Sequence, residues 1–251
     1  MKKTAGVICI CGATDLETHW IRKLLIREEE WAQGSALYTQ GSYQGKRILL
    51  IKSGIGGKNI KKALRLVTPD QEIGMAINIG CAGSVMPHMR IAHINIPVRI
   101  GLYMNETDEC LPEKRLLIFA HSVAMGFKRR KVHFFPSLTV KKAFDREEKR
   151  ALHHTAPELG SVDLESYYFA RFFSELHIPY LIVRSVSDTW DHRLPPVPYL
   201  SPSCWKSWRR MPRPSIELPN SLRFHLGVIL ACWINQRFIH LFIRNAAMPG
   251  S

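Results

Sequence analysis

The sequence predicts an α/β fold, because short and nearly all-apolar segments alternate with amphipathic ones along the chain. Segments 6–11, 76–84 and 178–183 have the pattern of strands that are covered on both faces, as in a parallel sheet. The 251 residues are 46% hydrophobic and 22% charged. This composition is globular and provides enough chain for one large α/β domain or two small ones.

Segment 161–191 places acidic side chains in an apolar setting. If Glu165 lies on a helix, aromatic residues follow it at i+3, i+4 and i+7, and its carboxylate lies on the apolar face. These residues are Tyr168, Phe169 and Phe172. Arg184, Ser187 and Asp188 then fall towards the C-terminal end of the next strand, which is where ligands bind in open α/β sheets.

Two interpretations of these polar residues remain open. They form a ligand site, or they are structural, with Glu165 and Arg184 as a buried ion pair and Ser187-Asp188 as a cap of the next element. Glu17 has the same two interpretations. It lies in the first turn of a helix that we expect to begin at residues 14–17, where an acid suits the helix dipole, and it follows the first strand at the same sheet edge as Asp188.

The intervening segments have weaker patterns. Residues 35–52 predict a hairpin that turns at residues 44–45, and residues 53–64 predict a glycine-rich turn that leads into a helix. Segment 76–84 is expected to end in a second glycine-rich turn, and 91–100 is expected to be a strand. Residues 101–160 carry little signal apart from a surface helix near 145–152.

The net charge of +14 and the pI near 9.7 favour an acidic partner surface, either nucleic acid or anionic lipid, or serve solubility alone. The spacing of the six cysteines along the chain fits neither a zinc site nor a disulfide framework. We therefore expect a reducing compartment, no structural disulfide and no metal site. The cysteines are at positions 9, 11, 81, 110, 204 and 232. No uninterrupted apolar stretch reaches the roughly 20 residues that span a bilayer.

The C-terminal region differs in composition from the rest. Residues 194–219 are proline-rich and contain Trp205 and Trp208, which predicts an ordered loop or a lid. Residues 221–244 predict an apolar helix that packs on the domain, lies on a membrane or lines an entrance for an apolar ligand. We therefore divide the chain into a catalytic domain, 1–191, and a loop and helix, 192–251, packed on or extending the same domain.

Four segments in order resemble the purine nucleoside phosphorylase superfamily, and in particular its methylthioadenosine/S-adenosylhomocysteine nucleosidase branch. They are GATDLE at 12–17, SGIGGKN at 53–59, NIGCAGS at 78–84 and VDLES…VRSVSD at 162–188. The resemblance implies a three-layer α/β/α fold with a central mixed, mostly parallel sheet. It also implies a cytoplasmic enzyme without a cofactor, a homodimer, and no nucleic-acid partner.

The resemblance assigns a role to each matching residue. It implies that Glu17 activates the attacking water, that Arg184 lies near this water, that Glu165 holds the ribose hydroxyls, and that Asp188 protonates the purine at N7. Phe144 matches the aromatic residue that stacks on the base. The other positions implied to bind substrate are Gly54, Ile55, Cys81, Leu164 and Ser187, of which Cys81 stands where these nucleosidases usually have serine.

The residue types suit cleavage of an N-glycosidic bond. The sugar becomes cationic in the transition state, so a carboxylate stabilises it, while the leaving base needs a proton and the water needs a base. Phosphorylases of the superfamily carry an arginine where this chain has Asn78. A phosphate site without arginine would be poor, which favours water over phosphate as the nucleophile.

Segments 97–100 (PVRI) and 188–196 (DTWDHRLPP) resemble the hopanoid-associated phosphorylases, which release adenine from adenosylhopane. This resemblance implies a lipid-linked substrate, a role in hopanoid biosynthesis and a place at an anionic membrane surface. The alternatives are a methylthioadenosine/S-adenosylhomocysteine nucleosidase, a phosphate-dependent purine nucleoside phosphorylase, and a nucleic-acid-binding protein with a decayed site.

Overall fold

The structure, a computed structural model, describes residues 6–67, 72–194 and 218–246. Helices cover both faces of one mixed sheet, which is the predicted three-layer α/β/α fold. The strands are β1 (Val7–Gly12), β2 (Ile26–Gln33), β3 (Ala36–Tyr43), β4 (Lys46–Lys52), β5 (Ile73–Ser84), β6 (Ile94–Asn95), β7 (Ile100–Leu102), β8 (Asn105–Cys110), β9 (Val132–His133), β10 (Ser137–Thr139), β11 (Ser161–Asp163) and β12 (Tyr180–Asp188). The helices are α1 (Asp15–Leu24), α2 (Gly57–Leu64), α3 (Lys114–Gly126), α4 (Arg146–Thr155), α5 (Ser166–Glu175) and α6 (Leu218–Asn245).

The order of the strands places the candidate site. The main path of the sheet is β2-β3-β4-β1-β5-β11-β10-β7-β8, and β12 pairs with β5 and β6. Strands β1, β5 and β12 are neighbours and run parallel, so their C-terminal ends, at Gly12, Ser84 and Asp188, lie at one edge of the sheet. Antiparallel pairing of β3 with β4 confirms the predicted hairpin.

Alternating side chains of β1 pack into two cores, one on each face of the sheet. Ile8 and Ile10 pack with residues of α1, α3 and α6, whereas Cys9 and Cys11 pack with residues of α2 and α5. All four side chains are fully buried. A strand buried on both faces explains why this segment has no polar alternation in the sequence.

Several predicted boundaries are wrong. Strand β5 continues through Gly80 and Gly83 instead of ending in a glycine-rich turn, and residues 91–100 form only the short β6 and the start of β7. Glu165 does not lie within a helix but immediately precedes α5. The sequence does not predict the exposed, charged edge strand β2 or the helix α3. The β2 segment lacks the alternation of apolar and polar residues of a half-buried strand, and the α3 segment lacks a clear apolar face.

Helix α6 is both a core helix and a wall of the candidate site. Its C-terminal half contributes Phe238 and Phe242 to the core, and Asn235 Nδ2 donates to the carbonyl oxygens of Gly80 (2.8 Å) and Val183 (3.1 Å). A Cβ atom on Gly227 would lie 2.3 Å from Ser187 O, so only glycine permits this close approach to β12.

The expectation that no segment is long enough to span a bilayer needs correction. Residues Ser221–Asn245 are long enough to span a bilayer, and an 18-residue stretch of them has a mean hydropathy of 1.5, although 56% of that stretch is buried inside the protein. Interruption by single polar residues hides this helix from a count of consecutive apolar residues. The predicted loop or lid with Trp205 and Trp208 lies outside the described residues.

Candidate active site

A pocket opens at the sheet edge where β1, β5 and β12 end. Most residues that the resemblance implies line it, and two do not. The implied residues in its wall are Glu17, Ile55, Cys81, Phe144, Leu164, Glu165, Ser187 and Asp188. Arg184 lies beneath the floor of the pocket, and Gly54 lies in the turn before α2 with a φ of +84°, which favours glycine.

Glu17 is held by hydrogen bonds at the start of α1. Its Oε2 accepts from the backbone N–H of Ala13 (2.8 Å), the backbone N–H of Thr14 (2.8 Å) and the Thr14 hydroxyl (3.1 Å). Within the described part of the chain, its Oε1 accepts only from Cys81 N, at 3.1 Å. Since a carboxylate oxygen has two lone pairs, Oε1 retains one that can accept a proton. The structural role at the helix start and the site role therefore coexist in this residue, because Thr14 and Glu17 also form a capping box.

Arg184 is part of a buried network below the pocket. Its Nε donates to Asp163 Oδ2 at 2.9 Å, and its Nη2 donates to Asn78 Oδ1. Burial alone would raise the pKa of Asp163, but the Arg184 guanidinium beside it holds that pKa below its ordinary value. Asn78 is committed to this network, since its Nδ2 also donates to Cys11 O at 2.8 Å. The sequence-based alternative of a Glu165–Arg184 ion pair is wrong, because the partner of Arg184 is Asp163.

The remaining nitrogen of Arg184, Nη1, is buried and has no hydrogen-bond partner among the residues that the structure describes. A Cβ atom built on Gly80 would lie 2.9 Å from this nitrogen and 2.8 Å from Glu17 Oε1. A proton acceptor and an unsatisfied donor therefore lie close together against Gly80, where the strand leaves no room for a side chain. A buried donor without a partner is destabilising, so Arg184 Nη1 favours a polar partner such as water beside Glu17.

Replacing Gly80 with alanine is expected to lower kcat by roughly tenfold to a hundredfold. The added methyl group would lie too close to Glu17 Oε1 and Arg184 Nη1 and would displace both. Steady-state kinetics of base release measures the effect. The matched control is Gly126→Ala, since a Cβ at Gly126 meets no atom within 4 Å. Equal rates for Gly80→Ala and Gly126→Ala would show that the positions of Glu17 Oε1 and Arg184 Nη1 beside Gly80 do not matter for the reaction.

Glu165 lies at the N-terminus of α5, where Asp163 fixes its backbone. Asp163 Oδ1 accepts from the backbone N–H groups of Glu165 (3.0 Å) and Ser166 (2.9 Å). The Glu165 side chain crosses to the glycine-rich turn, where its Oε1 accepts from Gly56 N at 2.6 Å. Burial raises the pKa of Glu165 to about 8, against the opposing effect of Arg184. At neutral pH the free enzyme therefore holds Glu165 largely as the neutral acid, whose O–H can donate to a hydroxyl group.

Asp188 lines the same pocket, at the last residue of β12. Ser187 Oγ donates to its Oδ1 at 2.7 Å, and Lys149 Nζ donates to its Oδ2 at 2.6 Å. The carboxyl group packs closely on β5, since a Cβ on Gly83 would lie 2.9 Å from Oδ2. Glycines 80 and 83 thus serve the site as strand residues, by leaving room for the polar groups of neighbouring elements.

The apolar wall of the pocket includes Phe144 and Leu164. Phe144 is 7% exposed and packs edge-to-face against Tyr103, with ring centroids 5.0 Å apart. Cys81 presents its thiol towards α6, where Cys232 Sγ is 3.5 Å away and Val228 O is 3.9 Å away. The hydrogen bond between the Cys81 and Cys232 thiols, together with burial, raises the pKa of the Cys81 thiol well above its ordinary value.

Sequence reasoning missed two buried charged residues of the site, Asp163 and Lys149. Asp163 could have been identified from its position directly after Val162 in an apolar strand, because a buried carboxylate in a strand needs a hydrogen-bonding or charged partner. The signal for Lys149 is its position three residues before Leu152, on the buried face of α4. Within the described residues, no cluster of three His, Cys, Asp or Glu side chains is placed to hold a metal ion, and the five cysteines there are free thiols.

Four acids in different surroundings line one pocket, and one of them, Asp163, is paired with Arg184. Of the other three, Glu17 lies against Gly80, Glu165 bonds to the glycine-rich turn, and Asp188 bonds to Ser187 and Lys149. This arrangement provides an acceptor for a water proton and a separate acid for a leaving group, which is what cleavage of an N-glycosidic bond requires. The fold and the site together define an enzyme of the purine nucleosidase or nucleoside phosphorylase class.

Comparison with known proteins gives the family. Residues 7–195 match the model of the phosphorylase superfamily, and the chain belongs to this superfamily. The 5′-methylthioadenosine/S-adenosylhomocysteine nucleosidase of Lysinibacillus sphaericus is 25% identical over 199 residues, which is 72% of this chain and 85% of that protein.

Solved structures share the fold at lower sequence identity. The 5′-methylthioadenosine/S-adenosylhomocysteine nucleosidase of Neisseria meningitidis, in complex with methylthio-immucillin-A, has a TM-score of 0.78 and 17% identity, and the match covers 96% of this chain and 99% of that one. The futalosine hydrolase of Helicobacter pylori has a TM-score of 0.75 and 16% identity, with the same coverage. These matches confirm the predicted fold class.

Proposed function

We propose that this protein hydrolyses the N-glycosidic bond of an adenine nucleoside and releases adenine. The observation that carries the proposal is that Glu17 and Asp188 line one pocket, while the unpaired Arg184 Nη1 lies beside Glu17 Oε1 against Gly80. A water bound at Glu17 Oε1 has a base to take its proton and a buried cation close by. The nucleosidase relatives support the same reaction.

The proposed reaction has one bond-forming and one bond-breaking event at C1′. The oxygen of the water bonds to C1′ and its proton passes to Glu17 Oε1, while the electrons of the C1′–N9 bond move into the purine. Asp188 gives its proton to N7, so adenine departs neutral. Glu165 binds the ribose hydroxyls, and the Glu17 carboxylate stabilises the positive charge that develops on the sugar until it takes the proton of the water.

The lining of the pocket supports water rather than phosphate as the nucleophile. No lysine or arginine is among the described residues that line the pocket. Arg184 is below the floor and is already paired with Asp163, and Asn78 holds Arg184 rather than facing the pocket. A phosphate ion binds tightly only where charged donors surround it.

We further propose that the nucleoside carries an apolar 5′ substituent, as adenosylhopane does, and that the enzyme acts at an anionic membrane surface. Leu16 and Ile55 line the pocket and are 39% and 49% exposed, which gives the pocket an apolar rim. Helix α6 extends this rim, because residues 224 and 228 line the pocket. The large exposed apolar residues of the same helix are Leu222, Leu226 and Ile229.

A groove beside this rim supports the membrane part of the proposal. It combines exposed arginines with the apolar residues of α6, and such a surface fits anionic head groups and acyl chains. The arginines that line it are Arg90, Arg130 and Arg223. The homodimer that the resemblance implies stays a prediction.

The main alternative is a methylthioadenosine/S-adenosylhomocysteine nucleosidase, which the named relatives favour. Thr14 and Leu164 stand where the resemblance places methionines in that enzyme, and both line the pocket here. A phosphate-dependent phosphorylase is the second alternative. A basic nucleic-acid-binding protein is the third, and it requires salt-sensitive binding to DNA or RNA with no effect of Glu17→Gln.

A substrate panel distinguishes these functions. The purified protein is incubated, with and without phosphate, with methylthioadenosine, inosine, and adenosylhopane in zwitterionic or anionic vesicles, and free base is measured; a strict phosphate requirement would identify a phosphorylase. We expect adenine release from adenosylhopane, faster from the anionic vesicles, with slow release from methylthioadenosine. Fast adenine release from methylthioadenosine alone would show that the substrate is this small nucleoside and not the lipid-linked one. Absence of base release from every nucleoside would contradict the proposed function.

A further inference from the structure

Lys149 is the one buried lysine among the residues that the structure describes. Its side chain has no exposed surface, whereas the Asp188 side chain beside it is 8% exposed. Its Nζ donates to Asp188 Oδ2 at 2.6 Å and to Thr189 O at 2.8 Å. Burial of an ion pair is weak evidence for a gain in stability, because desolvation of both charges offsets their attraction. The position of Lys149 beside the leaving-group acid therefore points to a role in the site.

The surrounding structure fixes Lys149 in this position. It lies in the first turns of α4, which begins with a capping box between Asp145 and Glu148. Asp145 Oδ1 also accepts from the backbone N–H of Leu194 at 2.9 Å, which ties the start of the helix to the segment after β12. Because Asp188 is the last residue of β12, the lysine and the acid are held by the same junction.

The two oxygens of Asp188 are oriented from opposite sides. Ser187 Oγ donates to Oδ1 and Lys149 Nζ donates to Oδ2, so the plane of the carboxyl group is defined before substrate binds. The Lys149 ammonium also places a full positive charge against the oxygen on which negative charge appears when the acid gives up its proton. A fixed charge of this kind is effective in a site that excludes water.

We propose that Lys149 is a positioning residue for Asp188, which it orients towards the purine and whose carboxylate it stabilises as the proton leaves. The inference rests on the proposed function. The step that it assists begins with Asp188 protonated from solvent in the complex with the nucleoside: its O–H bond breaks, the N7–H bond forms, and the electrons of the C1′–N9 bond pass to the purine. Lys149 keeps its protons throughout.

The test compares two leaving groups with Lys149→Gln and Lys149→Arg. We expect Lys149→Gln to lower kcat for adenine release by about tenfold to a hundredfold, below the full contribution of a general acid, with KM little changed. We expect Lys149→Arg to retain more activity, since the charge remains. With 4-nitrophenyl β-D-ribofuranoside, whose leaving group needs no proton, the wild type and both variants are expected to have the same rate.

Lys142→Met is the matched control, because Lys142 is exposed and pairs with Glu148 on the surface, at 2.7 Å. Equal losses with both leaving groups, or an unchanged rate of adenine release in Lys149→Gln, would overturn the inference. Should Lys149→Gln not fold, Lys149→Arg decides: a small loss or none, confined to adenine release, supports the inference, and equal losses with both leaving groups overturn it. Absence of adenine release in the wild type would be a failure of the proposed function instead.

Discussion

Replacing Asp188 with asparagine is expected to lower kcat for adenine release by roughly a hundredfold to ten-thousandfold, while substrate binding stays near the wild-type value. An amide cannot give a proton to N7, and adenine leaves poorly as an anion. The amide keeps the size of the carboxyl group, and its oxygen can accept from Lys149 when its NH₂ group faces Ser187, whose hydroxyl can accept as well as donate. Stopped assays of free adenine, with a separate measurement of nucleoside affinity, give the two quantities.

Asp191→Asn is the control for this substitution. Asp191 is exposed, lies three residues further along the chain, and accepts a hydrogen bond from the Thr189 hydroxyl at 2.7 Å. It should leave the rate unchanged. Near-normal turnover by Asp188→Asn would show that another group protonates the base, and it would remove the proposed role of Lys149 as well.

Replacing Glu17 with glutamine is expected to lower kcat by about a hundredfold or more, because the residue that accepts the proton of water is lost. The same change is expected to lower the free energy of unfolding by about 1 kcal/mol, since the capping box of α1 is broken. The NH₂ group of the new glutamine would replace either Oε1 or Oε2 of Glu17. In both positions it would face a backbone N–H group, since all four hydrogen bonds described for the Glu17 carboxylate are donated to it. Kinetics and urea denaturation measure the two effects separately.

The control is Glu28→Gln, on the exposed strand β2. It should change neither the rate nor the stability by a comparable amount. If Glu17→Gln loses stability but keeps its rate, Glu17 is a helix-capping residue only, and the base lies elsewhere. This outcome would restore the structural interpretation that its place in the first turn of α1 allows.

Much of the fold could be predicted because its central strands are buried on both faces. The β1 segment and the first part of β12 are continuous apolar runs, and short runs of this kind are typical of strands in a covered parallel sheet. The edge strand β2 is different, because a charged, exposed segment gains its structure from pairing with β3 rather than from its own pattern. Helix α3 also lacks a clear amphipathic pattern.

The site was predictable as a set of residues and less so as a geometry. The resemblance named Glu17, Glu165 and Asp188, and the fold brings all three to one pocket. It could not give their partners, since Asp163 and Lys149 reach the site through pairing of β11 and packing of α4, which are long-range contacts. The glycines of β5 predict a turn where the structure has a strand, because a glycine needed for close approach and a glycine needed for a turn look alike in a sequence.

Helix α6 illustrates a limit of a different kind. Its hydrophobic length is visible in the sequence, but its two halves have different surroundings: the C-terminal half packs in the core, and the N-terminal half lines the pocket and exposes leucines. Composition alone does not distinguish packing in the core from lining the pocket. The close approach of Gly227 to Ser187 shows where the helix meets the site.

The central claim is that water, activated between Glu17 and Arg184, is the nucleophile. The most direct test is to identify the sugar product after cleavage of an adenine nucleoside that the enzyme accepts, with phosphate absent and with phosphate at high concentration. We predict a free reducing sugar in both cases, at a rate that does not depend on phosphate. Formation of a sugar 1-phosphate, with no adenine released when phosphate is absent, would contradict the account.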